Sequence, residues 1–414
     1  MRILCRNLLM SSKTFISPIK ESQNNIIQRM INKSALCSNC IQIANSKTEE
    51  IKKKKKNNIN DYMNSINSES INKVIQNYLS LRARGNLYLI NAEIAKQFVN
   101  FIIDDLLKNA THVIELNPGL GYLTKELLKA GVPFVHMYEN ESAFNTILEK
   151  LCQQFPKQLS KKNANLFDIA KIMYSASFTT GATSYVFKLF DNVQRKQWED
   201  TSCMQLVGIT DKREFITHLI LSTVFQTCLM AFGRTILYLA IKPSIWEKFT
   251  CSSSSRMTSA YVMFQIIFDY QMFGTLDRKA FVPWKRKMGF QYNNKHKFYE
   301  EDSNFLYVVK LEPKPDLLKT LGGKQDLIYF WHFTRRNLYK LNNRVIPTLE
   351  KIIPGCGLRL IAKNFNIFTQ FDDLTPHQIL DLFLEFRSWP EFKESIFVLG
   401  ATDSQTMYNT DIYK

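Results

Sequence analysis

Residues 112–124 constrain this chain more than any other stretch. His112-Val113-Ile114-Glu115-Leu116 is a short apolar run with β-branched residues, Asn117-Pro118-Gly119-Leu120-Gly121 is a turn, and Leu123, Leu127 and Leu128 follow at helical spacing. These periods predict a buried strand, a tight turn and a helix. Gly119 and Gly121 permit backbone angles that a Cβ forbids, and they let a ligand approach the main chain. The free N–H groups of the helix beyond them form a polar cradle. Glu115 stands near the carboxyl end of the strand, where open α/β sheets bind ligands. A plain tight turn is the other reading of the glycine pair.

Two more acids follow in order. Residues 133–138 form a second apolar run that ends at Glu139, with Glu141 close by. An acid about 20 residues past the glycine turn, at the end of the next strand, is placed to accept hydrogen bonds from ribose hydroxyls. Asp168 follows residues 163–167, where a third strand is expected to end. Acid, glycine loop, ribose acid and third acid, in that order, resemble the layout of S-adenosylmethionine-dependent methyltransferases. More narrowly, Glu115-x-x-Pro118-Gly119-x-Gly121-x-Leu123-Thr124 resembles the ribosomal RNA adenine dimethyltransferase family, and within it the mitochondrial transcription factor B proteins.

The resemblance implies an α/β fold: a doubly wound, seven-stranded methyltransferase-type sheet with an antiparallel final pair, followed by a small all-helical C-terminal domain. It implies S-adenosyl-L-methionine as cofactor, retained or vestigial, against Leu89, Glu115, Asn117, Gly119, Gly121, Glu139 and Asp168. Leu89 enters because Tyr88-Leu89 match the apolar pair of the family's Gln-Asn-Phe-Leu segment.

The family grips its target adenine with Asn-Leu-Pro-Tyr at the end of the fourth strand. The asparagine carbonyl and adjacent backbone accept the amine's hydrogen bonds, and the ring stacks on the flipped base. Here that strand ends Val207-Gly208-Ile209-Thr210-Asp211-Lys212-Arg213. Gly208 matches the glycine before the asparagine, Ile209 takes the amide position, and no aromatic follows. Asp211 reads as a helix cap, and Asn117 stands where active members have their first glycine. No residue of the degenerate motif Gly208, Ile209, Thr210, Asp211 is therefore assigned a catalytic role, and methyl transfer is expected to be weak or absent.

The mitochondrial members that have lost the tetrapeptide act in transcription initiation. Resemblance to them implies mitochondrial RNA polymerase and the melted strand of promoter DNA as partners. The alternative is an active adenine-N(6) dimethyltransferase of mitochondrial small-subunit rRNA. A third reading is a ribosome-assembly protein with neither activity.

Charge supports a polyanionic partner. Fifty-four Lys and Arg against 37 Asp and Glu give a net charge of +17, which favours nucleic acid first and an anionic membrane surface second. The basic character of many mitochondrial matrix proteins is the blander explanation. The segment Arg278-Lys279-Ala280-Phe281-Val282-Pro283-Trp284-Lys285-Arg286-Lys287 interleaves cations with rings, as single-strand binding requires. Phe281 and Pro283 also resemble the family's Phe-x-Pro-x-Pro hairpin beside the target base. Lys295, His296 and Lys297 extend the charge, and Arg335-Arg336 beside Trp331 suggest a second patch. A solvated basic loop with its aromatics tucked inward is the competing reading.

The remaining chain divides by composition. Residues 1–35 carry Arg2, Arg6, Lys13 and Lys20, interleaved apolar residues and no acid before Glu21, and read as a mitochondrial transit peptide over a secretory signal. Residues 36–75, with five consecutive lysines at 52–56, read as a disordered basic linker. Residues 76–318 form the methyltransferase-like domain, and 319–414 the helical domain and tail. Within them, 171–200 read as a surface loop, 213–232 as one long buried helix, and Thr375-Pro376-His377-Gln378 as a capped helix start. Of eight cysteines only Cys37-x-x-Cys40 are close, so no metal site is expected. No run has the apolar length to cross a bilayer, so a soluble protein with no membrane partner is expected; the presequence and the family resemblance imply a monomer in the mitochondrial matrix nucleoid.

Overall fold

The computed structural model describes residues 86–109, 112–169, 186–250, 257–283, 300–340 and 342–408. The expectations for the presequence, the linker, Cys37-x-x-Cys40, residues 295–297, and Trp284, Lys285, Arg286 and Lys287 lie outside the described residues. In chain order the first half comprises β1 (Tyr88–Leu89), α1 (Ala92–Lys108), β2 (Val113–Leu116), α2 (Tyr122–Lys129), β3 (Val135–Tyr138), α3 (Asn145–Gln154) and β4 (Leu159–Lys162). Then come β5 (Met204–Ile209), α4 (Arg213–Phe225), β6 (Thr235–Ile241), α5 (Pro243–Thr250), α6 (Ser259–Ile267), β7 (Phe268–Asp277), β8 (Phe281–Val282) and β9 (Phe305–Pro313).

Seven of these strands form one sheet in the order β4-β3-β2-β5-β6-β9-β7. The strands from β4 to β6 run parallel, and β9 lies antiparallel between β6 and β7. Every residue of β5 and β6 is buried, which is why those strands read as unbroken apolar runs: helices cover both faces. Asn91 caps α1 by accepting from Ile94 N at 3.0 Å, and Phe98, Val99, Ile102 and Leu106 are its buried stripe. Strand order reverses between β2 and β5, so the loops after both strands open on one crevice.

Three expected elements differ. The third strand is β4, and it ends before Asn163. Asn165 then accepts from Phe167 N at 3.0 Å and turns the chain into a 3-10 turn, Leu166–Asp168, because an asparagine side chain mimics a backbone turn. Helix α4 stops at Phe225, where Gln226 adopts φ 49° and returns its N–H to the last-turn carbonyls. The expected surface loop is partly core: Val186, Leu189, Phe190, Val193 and Trp198 are buried.

The tail comprises α7 (Leu317–Leu321), α8 (Lys324–Asn337), α9 (Val345–Glu350), α10 (Gly357–Ala362), α11 (Pro376–Ser388) and α12 (Ile396–Tyr408). Gln378 N donates to Thr375 Oγ1 at 3.3 Å and Thr375 N donates to Gln378 Oε1 at 2.9 Å, closing the capping box of α11. Ile379, Leu380, Leu382, Phe383 and Phe386 are all buried. One apolar cluster runs from Leu206 and Leu237 in the sheet through Phe264 and Phe330 to Phe386 and Phe397. The helices after residue 318 are therefore packed into the same core as the sheet.

Candidate nucleoside site and the degenerate catalytic loop

Beyond β2 the backbone turns through left-handed angles at Asn117 (φ 52°), Gly119 (φ 56°) and Gly121 (φ 72°). Asparagine is among the few L-residues that tolerate this region, so Asn117 replaces a glycine without losing the loop. A Cβ on Gly119 would meet Tyr88 Cδ1 at 2.6 Å. This close approach delivers Gly119 N to Glu139 Oε2 at 3.2 Å, while Glu141 N donates to Glu139 Oε1 at 2.9 Å and the Tyr88 hydroxyl to the same oxygen at 3.3 Å. Glu139 is fully buried, and burial pushes its carboxyl up to about 7 against those three donors. Glu115, also buried, accepts from Thr124 Oγ1 at 2.6 Å, and desolvation pushes it to about 8.

Asp168 is engaged on both oxygens. Lys212 Nζ lies 3.0 Å from Oδ1, and Asn165 Nδ2 donates to Oδ2 at 2.7 Å. Leu89, 3% exposed, is held in a two-stranded pair opposite Phe281. Asn117 is 2% exposed, yet among the described residues neither atom of its side-chain amide has a partner; the same holds for Asn86 Oδ1. A buried polar group without a partner costs about 1–3 kcal/mol. The loop thus holds unspent hydrogen-bonding capacity beside Glu139, which fits a polar nucleoside ligand.

The loop after β5 is tied down at consecutive residues. Thr210 forms an isolated antiparallel bridge with Asn86. Asp211 Oδ2 pairs with Lys242 Nζ at 2.7 Å, and Lys212 N donates to Thr210 Oγ1 at 3.1 Å. Asp211 is therefore not the helix cap: that position falls to Lys212, without a side-chain bond, because Lys242 holds the carboxylate. Ile209 is buried in register with Ala240, and its side chain offers no acceptor. A Cβ on Gly208 would meet Leu116 Cβ at 2.7 Å, so the glycine is explained by strand packing. Asn86, Lys212 and Lys242 were invisible as site residues from spacing, since their partners lie 31 to 124 residues away in sequence.

Two residues of the expected basic groove face inward. Arg278, 7% exposed, donates to the carbonyls of Phe281 and Pro283 and shapes the hairpin instead of meeting a phosphate. Phe281 is completely buried and cannot stack on a base. Lys279 is exposed, with its backbone N–H on Asp277 Oδ1. In the tail, the Arg335 guanidinium lies 5.2 Å from the ring centre of Trp331. Among the described residues no helix is long and apolar enough to cross a membrane, and no His, Cys, Asp and Glu cluster could hold a metal.

A sequence model of the ribosomal RNA adenine dimethylase family matches residues 82–388, spanning the glycine loop, the tied loop and most of the helical tail. The chain belongs to that family. It is 31% identical, over an alignment of 366 residues that covers 77% of this chain and 79% of the relative, to dimethyladenosine transferase 2, mitochondrial, of Drosophila melanogaster. It is also 25% identical over 177 residues to mitochondrial dimethyladenosine transferase 1 of Bos taurus, covering 42% of this chain and 48% of the bovine one. A dimethyladenosine transferase from Plasmodium falciparum superposes with a TM-score of 0.43 at 13% identity, over 72% of this chain and 97% of that one. The family's cofactor is S-adenosyl-L-methionine, which supplies a methyl group on a sulfonium. In this chain the Asn117 amide and Glu139 are the residues that would hold it, while the N–H groups of Asn117, Gly119 and Gly121 donate to Tyr138 O, Glu139 Oε2 and Pro118 O and shape the loop itself.

Proposed function

We propose that this chain is a mitochondrial transcription initiation factor that assists mitochondrial RNA polymerase in melting promoter DNA, built on an adenine dimethyltransferase fold. The observation that carries the reading is the state of the tetrapeptide positions. The Ile209 side chain presents no acceptor for an adenine amine, and Asp211 and Lys212 are spent on Lys242 and Asp168. Positioning is most of what this reaction requires of the protein, so losing the acceptor removes chemistry and leaves the basic, polyanion-attracting scaffold intact. A net charge of +17 favours phosphate contact whatever the base sequence. The protein acts as a monomer in the matrix nucleoid, where its partners are the polymerase and the melted strand.

The test is run-off transcription with the cognate polymerase. On duplex promoter the polymerase needs this protein, and on a template melted over the start site it does not. Full activity of polymerase alone on the duplex overturns the proposal.

A second reading, an adenine-N(6) dimethyltransferase of mitochondrial small-subunit rRNA, is favoured by the orphaned amide of Asn117 and the intact glycine loop. It requires transfer of labelled methyl groups to the rRNA hairpin that stops in Glu139→Ala. Absence of transfer dismisses it.

A further inference from the structure

Asn117 carries two costs that a glycine in its place would not. Its backbone is held at φ 52°, in the left-handed region, where glycine sits without strain and asparagine is tolerated. Its side chain is 2% exposed, and among the described residues neither Oδ1 nor Nδ2 has a hydrogen-bond partner. Strain and an unpaired buried amide at one residue point to a contact outside the fold's own hydrogen bonds. The register sets this residue beside the position that lost its amide. Leu116 pairs with Gly208, so Asn117 is the next residue past β2 and Ile209 the next along β5. Asn86, bridged to Thr210 just past Ile209, adds a buried Oδ1 that is likewise unpartnered among the described residues.

We propose that Asn117 is the specificity-determining residue of this crevice: its amide reads the amine edge of an adenine base, a role displaced from the end of β5 to the loop after β2. The inference rests on the reading of this crevice as a nucleoside site. An asparagine amide has one accepting and one donating side, the complement of adenine. Oδ1 accepts from the exocyclic amine, and Nδ2 donates to the adjacent ring nitrogen. A purine without the amine leaves Oδ1 unpaired, so the amide separates adenine from unsubstituted purine. Holding the base does not restore methyl transfer, because no ring stands at Thr210, Asp211 or Lys212 to stack on it. The same base edge is carried by the adenine of a free nucleoside and by an adenine flipped out of a strand.

The experiment is calorimetric titration of the full chain and of Asn117→Gly with two matched pairs of ligands. One pair is S-adenosylhomocysteine and its analogue with unsubstituted purine as the base. The other is a short thymidine strand with one central adenine or one central unsubstituted purine. In the unsubstituted protein the adenine ligand of at least one pair binds about tenfold tighter, the size of one bidentate amide–adenine contact. In Asn117→Gly that difference closes, and the pair that showed it identifies the source of the base. Urea unfolding of Asn117→Gly gives a midpoint no lower than the parent's, since the lost strain and unpaired amide offset glycine's extra chain entropy. A lower midpoint, a difference that survives in Asn117→Gly, or no difference in either pair overturns the assignment to Asn117 and leaves the nucleoside site standing. No heat of binding from either protein with any of the four ligands removes the site itself, and the proposal with it.

Discussion

The hydroxyl of Tyr88 donates to Glu139 Oε1 at 3.3 Å, joining the strand that precedes the first helix to the buried acid 51 residues further on. The same tyrosine ring lies over Gly119 and packs on Phe144, with ring centres 4.6 Å apart. Strand β1 also pairs with the hairpin strand β8, and Asn86, two residues before Tyr88, bridges Thr210. One short extended segment thus touches the glycine loop, Glu139, the loop after β5 and β8.

Replacing Tyr88 with Phe keeps the packing and removes one donor from a buried carboxyl. Hydrogen bonds to such groups are worth about 1–3 kcal/mol, so urea unfolding should show a loss in that range with an unchanged slope. A loss below a few tenths of a kcal/mol would mean that the 3.3 Å contact contributes nothing in solution.

Gly119→Ala meets two obstacles at once. Its φ of 56° is left-handed, and the new Cβ would lie 2.6 Å from Tyr88 Cδ1. Strain of this kind costs about 1–3 kcal/mol, and the displaced tyrosine opens the Glu139 contact. A lower urea midpoint, with weaker S-adenosylhomocysteine binding than Tyr88→Phe shows, is the expected pair of results.

Glu115 and Glu139 make stability depend on pH. Burial raises both, to about 8 and about 7, above the ordinary carboxylate range. The native state then binds more protons than the unfolded chain between about pH 4.5 and 8. Their contribution is complete below the unfolded value and is lost as pH rises through the two folded values. Urea midpoints should fall from about pH 7 to pH 8.5, above the range in which the buried histidines, lowered by desolvation, act with the opposite sign, and Glu115→Gln, which cannot ionise, should flatten that decline. A midpoint for Glu115→Gln that falls as steeply as the unsubstituted protein's would refute the assignment.

Arg278 is a structural residue, and its replacement should look like one. Arg278→Met leaves the carbonyls of Phe281 and Pro283 without their donor, a cost of about 2–4 kcal/mol in unfolding. Binding of single-stranded DNA by the folded fraction keeps its salt dependence. A phosphate contact would instead lower the slope of log affinity against log salt by ~0.7.

Local physics made much of this molecule legible in advance. The capping box at Thr375 and Gln378, the buried stripe of α11, the all-buried β5 and the Gly119–Gly121 turn each depend on residues a few positions apart, and each stands where the periodicities put it. The early end of α4 was not legible, because the apolar run continues past Gln226 while the backbone reverses there. Nor was the true end of the third strand, where an asparagine side chain outcompeted the ladder.

By itself, the sequence determined the alternation of strands and helices, the glycine loop with its following acid, and an apolar Ile209 at the end of β5. Folding alone decided how the polar groups are spent: Tyr88 on Glu139, Lys242 on Asp211, Lys212 on Asp168, and Arg278 turned inward. The physical reason is range. Capping, turns and periodicity act over a few residues of chain, whereas a charge or a hydroxyl pairs with whatever the fold brings within about 3 Å.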